Sequence, residues 1–163
     1  MLKNTSLLAT LLAISFVYHT AYADSDRSFY YGVQYAMVDY KATNGIEYSP
    51  SALVLKAGLP INDVLAIEGR VGTGLRDDSV GALTMEINSM SGLYLVATAD
   101  GGNDRYLYAF AGGTQGEVDV GITTDDESGF SFGVGLIIDA FNIEFVDYLG
   151  ESNFSVNAVS FGY

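Results

Sequence analysis

The sequence predicts an all-β chain folded as an eight-stranded antiparallel up-and-down transmembrane β-barrel. Three observations carry that expectation. Apolar residues recur with period two along most of the chain, and almost nowhere with the 3.6-residue period of a helix. The alternating runs number eight, each about as long as a tilted membrane strand of about 9–11 residues. The connections between them alternate short and long, which in an antiparallel barrel sets short turns at one end and longer loops at the other.

The first run has Phe29, Tyr31, Val33, Tyr35 and Met37 in one phase, with Gly32, Gln34 and Ala36 in the other. The second alternates Leu53, Leu55, Ala57 and Leu59 with Val54, Lys56 and Gly58, and the third Leu65, Ile67 and Val71 with Ala66, Glu68, Arg70 and Gly72. The fourth holds one phase from Leu83 through Met85 and Ile87 to Leu93 and Leu95. In the fifth, Tyr106, Tyr108 and Phe110 alternate with Leu107, Ala109 and Ala111. Phe130, Phe132, Val134, Leu136 and Ile138 mark the sixth, Phe141, Ile143 and Phe145 the seventh, and Val159, Phe161 and Tyr163 the eighth. Residues 59–63, 98–104 and 139–140 read as short turns. Residues 41–51, 76–82, 116–128 and 149–153 read as the more polar loops of the other end.

Residues 1–23 carry one cation, Lys3, then an apolar run from about Leu7 to Val17, then Ala21-Tyr22-Ala23. A charged start, a short apolar stretch and a small-x-small site predict a cleaved secretory signal peptide. The barrel domain is then residues 24–163, with six Lys and Arg against twenty Asp and Glu, a net charge of −14. Such a surface argues against nucleic acid as a partner. There is no cysteine, which excludes disulfides and a lipoprotein anchor.

The charges assign the faces. A Lys or Arg facing mid-bilayer lipid costs roughly 2–4 kcal/mol, so Lys56 and Arg70 point into the lumen. There each needs a partner, because a buried unpaired charge is expensive. Glu68, Glu86 and Glu144 share the expected inward phase, which predicts a lumenal ion-pair network of Lys56, Glu68, Arg70, Glu86 and Glu144. Large apolar residues then face lipid. Phe29, Tyr31, Tyr106, Tyr108 and Phe141 are expected in one interfacial aromatic girdle, and Tyr48, Phe130, Phe132 and Phe154 in the other. The last strand must pair with the first, because an open sheet edge cannot sit in lipid.

The segment AVSFGY (158–163) resembles the C-terminal assembly signal read by the outer-membrane insertion machinery, with Phe161 and Tyr163 as its two apolar positions. With the eight runs, the chain resembles the small outer-membrane barrels of Gram-negative bacteria: opacity-type "porin family" proteins and the transmembrane domains of outer membrane proteins A and X. That resemblance implies location in the cell outer membrane, contact with outer-membrane lipid and lipopolysaccharide, insertion by the barrel-assembly machinery, and a host or surface ligand met through the loops. Enzymes among such barrels generally rely on a histidine. Here the one histidine, His19, lies in the expected leader, which removes Ser-His and Cys-His nucleophile chemistry.

No catalytic residue and no cofactor is predicted. Asp125, Asp126 and Glu127 form a weak Ca²⁺ candidate at an expected loop tip, without the spacing of a known calcium loop. The expected function is non-enzymatic: envelope integrity, adhesion or a surface antigen. Two alternatives are a narrow passive channel on the same fold, and a secreted soluble barrel of lipocalin type that binds an apolar ligand.

Overall fold

The structure is a computed structural model and describes residues 29–42, 46–149 and 154–162. The expected signal peptide, and Tyr163 of the expected assembly signal, lie outside the described residues. Ten strands are present among the described residues: β1 (Tyr30–Ala42), β2 (Glu47–Tyr48), β3 (Ser51–Pro60), β4 (Leu65–Arg76), β5 (Asp78–Val80), β6 (Leu83–Asp100), β7 (Arg105–Val120), β8 (Thr123–Ile138), β9 (Phe141–Leu149) and β10 (Phe154–Gly162). Eight of them form the wall. Each long strand is antiparallel to its neighbours, and β10 pairs with β1, so the sheet closes. The short β2 and β5 add to β1 and β6 at one end.

The closure is staggered. Following paired residues from Tyr30 through Gly58, Glu68, Tyr94, Gly112, Ser131, Tyr148 and Val156 returns to β1 at Tyr40, ten residues beyond the start. A stagger of this kind tilts the strands and sets a lumen narrow enough for side chains to fill.

The phases of β1, β3, β4, β8, β9 and the described part of β10 follow the sequence. Val33, Leu55, Ile67, Val134, Phe145 and Phe161 all face outward. Two strands depart from it. In β7, Leu107 is 59 % exposed and Tyr108 only 6 %. Tyr106, Tyr108 and Phe110 thus occupy the inward phase, and Leu107, Ala109 and Ala111 face lipid. In β6, the ladder to β7 shifts between Ile87 and Ser89, leaving Asn88 as an extra residue. A bulge reverses the side-chain alternation. Leu93 and Leu95 therefore face outward, whereas Met85 and Ile87 turn inward, so the single phase expected from Leu83 to Leu95 does not hold.

Aromatic rings around the ionic level of the narrow lumen fit because glycines make room for them. Tyr30 pairs with Gly58, Tyr108 with Gly135 and Phe110 with Gly133, and the Tyr94 ring lies over Gly92, two residues before it on its own strand. A Cβ at Gly58 would meet the Tyr30 ring, and one at Gly135 the Tyr108 ring. The missing side chain on one strand is the space into which the ring of the next strand folds.

Strands β6, β7 and β8 have 18, 16 and 16 residues, well beyond the about 9–11 that a bilayer needs. Their outer halves continue past the membrane as a projecting sheet. The expected loop at 116–128 is therefore strand, closed by the two residues Gly121 and Ile122. Gly121 sits at φ +67°, the left-handed conformation that a tight hairpin takes at its first turn position.

Candidate functional site

The lumen holds a compact ionic group at mid-height. Arg70 on β4 donates to Glu68 through Nε at 2.7 Å, and to Glu144 on β9 through both terminal nitrogens, at 2.5 and 3.0 Å. Lys56 on β3 stands 3.8 Å from Glu144. Tyr108 and Tyr30 hydroxyls donate to Glu144 and Glu68, each at 2.8 Å. Gln34 donates to Glu144 at 3.3 Å. The guanidinium also lies 4.1 Å from the Phe110 ring centre and 4.7 Å from that of Tyr94. Glu144 has no exposed surface. Two cations thus face two carboxylates, and each carboxylate also accepts from a hydroxyl, which is how buried charge is tolerated.

Four of the five residues expected in the lumenal network meet in this way; Glu86 does not. It lies beyond the β6 bulge, is exposed, and pairs across the ladder with Asp119. The bulge turned it outward. What the sequence reading missed is the aromatic half of the group. Tyr108 and Phe110 read as lipid-facing, whereas Tyr30 and Tyr94 fall in the inward phase by alternation but have no part in the expected network; the pairing of Tyr108 with Gly135 and of Phe110 with Gly133 identifies the lumenal phase of β7.

Above the ionic group, the Tyr94 hydroxyl meets Thr114, and Thr114 meets Ser131 at 2.7 Å. Higher still, the wall becomes apolar and encloses a cavity of about 110 Å³ that opens to the outside. Glu127 lines its upper edge. Asp125, Asp126 and Glu127 lie on β8, not at a loop tip. Successive strand residues point to opposite faces, so Asp126 is directed away from the other two. The three do not converge, and among the described residues no group of three potential ligands is placed to hold a metal ion.

The expected girdles are partial. Phe29, Tyr31 and Phe141 face outward at the lower end, joined by Phe161 of the expected assembly signal. They lie on or beside β1, β9 and β10, so they cover one sector. Tyr106 and Tyr108 are in the inward phase and leave the girdle for the reason given above. At the upper end Phe130 and Phe132 face outward, but Tyr48 is 3 % exposed and packs 6.3 Å from the Tyr40 ring. The side chain of Phe154 lies outside the described residues.

The outer end is strongly acidic. Glu86 is opposite Asp119, and Glu117 is opposite Asp126. Lys41 is engaged with Glu47 at 2.6 Å, tying β2 to β1. The Lys41 hydrogen bond and charge hold the Glu47 carboxyl below its usual value. A depressed carboxyl pKa contributes stability above its unfolded value and loses it as pH falls through the folded one. Docking of β2 is therefore expected to weaken in acid, below the ordinary glutamate range. Amide exchange at Glu47 and Tyr48 measures it, and Glu47→Gln should remove the pH dependence.

The sequence matches the family described as outer membrane protein beta-barrel domain over residues 7–145. The chain belongs to that family. It is therefore a protein of the outer membrane of a Gram-negative bacterium, set in lipid and lipopolysaccharide. Among solved structures it is similar to Ail, the attachment invasion locus protein of Yersinia pestis, at 14 % identity and a TM-score of 0.60. That likeness covers 82 % of this chain and 94 % of Ail. One structure of Ail is a complex with the heparin analogue sucrose octasulfate. Neisserial surface protein A, from Neisseria, is similar at 15 % identity, with a TM-score of 0.54 over the same shares of the two chains. No curated protein matches the sequence.

Proposed function

We propose that this barrel is a non-conducting, non-enzymatic envelope protein that acts through its outer end. The observation that carries the reading is the Arg70 clamp between Glu68 and Glu144, with Lys56, Tyr30, Tyr108 and Gln34 closing around it. It sets a balanced ionic group across the lumen between β3, β4 and β9. What remains for recognition is the projecting β6–β7–β8 sheet and the mouth beside it.

Similarity to Ail does not extend to its ligand. Sucrose octasulfate is a polyanion, and the outer end here carries Glu86, Glu117, Asp119, Asp125, Asp126 and Glu127. Like charges on both partners oppose such a contact. The outer end suits a cationic partner. Its other partners in this reading are the surrounding lipopolysaccharide and the insertion machinery that places it.

The channel alternative is tested by recording the purified mature protein in a planar bilayer. The expected record is silent at all voltages that leave the bilayer intact. A steady open level would assign the protein to conduction instead.

A further inference from the structure

The cavity at the outer mouth has a composition that the barrel wall does not require. Val38, Met85, Ile87 and Met90 make its sides, and the rings of Tyr40 and Tyr148 also line it. The β6 bulge is what brings Met85 and Ile87 inward at this height. The walls are carbon almost throughout, yet Glu127 stands at the same cavity, and Asp125 follows two residues away in the same phase of β8.

We infer that this mouth cavity is a binding site for a small organic cation of the quaternary ammonium type. The cavity volume of about 110 Å³ is below the 150 Å³ or so at which an engineered apolar cavity encloses benzene, but the cavity opens to the outside, so a trimethylammonium head, about as large as benzene, seats in it with its outer part at the mouth. Tyrosine faces attract such a cation, and attraction is strongest when it has been desolvated. Glu127 supplies the countercharge at the rim. A metal ion would lose its water to walls that offer one carboxylate and little other polar surface. A neutral hydrocarbon fills the space but gains nothing from the carboxylates. Around the mouth, Lys41 is already engaged with Glu47, and the neighbouring pairs Glu86–Asp119 and Glu117–Asp126 add to the negative field.

The proposal deepens the reading of the outer end as the recognition surface. Its failure is separable, because the bilayer record tests the plug and ligand binding tests the mouth. The experiment is calorimetric titration of the full mature protein in lipid nanodiscs with benzyltrimethylammonium, at about 0.15 M salt to screen the outer surface. Saturable one-site binding is expected, weakened about tenfold by Glu127→Gln and far less by Asp126→Asn, which alters an acid directed away from the cavity. The uncharged analogue neopentylbenzene should bind more weakly than the cation. Competition by phosphocholine vesicles would assign the site to a lipid headgroup, and its absence to a free amine; both keep the chemistry. Equal losses in the Glu127 and Asp126 variants would reduce the effect to surface charge and overturn the proposal. So would equal binding of the neutral analogue, or no saturable binding at all.

Discussion

Replacing Arg70 with alanine is expected to destabilise the folded barrel by about 3–5 kcal/mol, the cost of breaking a buried ion pair from one side. The size of the effect follows from what is left behind. Glu68 and Glu144, 2 % and 0 % exposed, would face each other across the lumen with Lys56 the remaining cation, at 3.8 Å from Glu144. Arg70→Lys should recover part of the loss only, because an ammonium cannot bind both oxygens of Glu144 and reach Glu68 with a planar fork. Lys41→Ala, which breaks an exposed pair, should leave the unfolding midpoint where it is. Urea titration of the protein refolded in lipid vesicles measures all three. An Arg70→Ala midpoint equal to that of the parent would mean that the ionic group is hydrated and contributes nothing to the fold.

The second large effect is expected at a glycine. A Cβ at Gly133 would run into the Phe110 ring and the Phe145 carbonyl oxygen. The ring can shift, but the carbonyl belongs to the adjacent strand and cannot. Gly133→Ala should therefore cost about 1–3 kcal/mol, the range for overpacking. Gly69 and Gly113 are the matched controls. Both lie in strands of the same wall, and a Cβ there meets nothing within 4 Å. Alanine at either should be neutral or mildly stabilising, since glycine is the more costly residue to order in a strand. Equal losses at all three would remove the claim that the aromatic rings are seated on glycines.

Much of this fold is legible in the alternation of residues, because lipid outside and a filled lumen inside make opposite demands on adjacent side chains. Strands β3, β4 and β9 read correctly because charge marks their inward phase. Lys56, Glu68, Arg70 and Glu144 cannot face hydrocarbon, so β3, β4 and β9 orient themselves. In β7 between Arg105 and Glu117 there is no charge. Both phases are apolar, and side-chain size pointed the wrong way. The size rule failed because the lumen is not uniformly narrow: Gly133 and Gly135 on β8 make room for Phe110 and Tyr108. Glu86 was misplaced for a different reason. A one-residue bulge leaves no mark in the alternation, and every side chain beyond it changes face. The projecting sheet did leave a signal, the alternation of Val118 and Val120 with Glu117 and Asp119, but the acids around it made the segment read as a loop.

The most direct test of the whole account is a single-cysteine scan along β7 in intact outer membranes. The chain has no cysteine of its own, so each introduced thiol reports alone. A lipid-phase reagent should label positions 107, 109, 111 and 113 and spare 106, 108, 110 and 112. From position 115 to 119, a water-soluble reagent added outside the cell should take over, because the strand has left the bilayer there. That pattern would establish the barrel, the inward phase of its tyrosines and the projecting sheet together. Lipid labelling at 108 and 110, or equal labelling along the strand, would contradict the account.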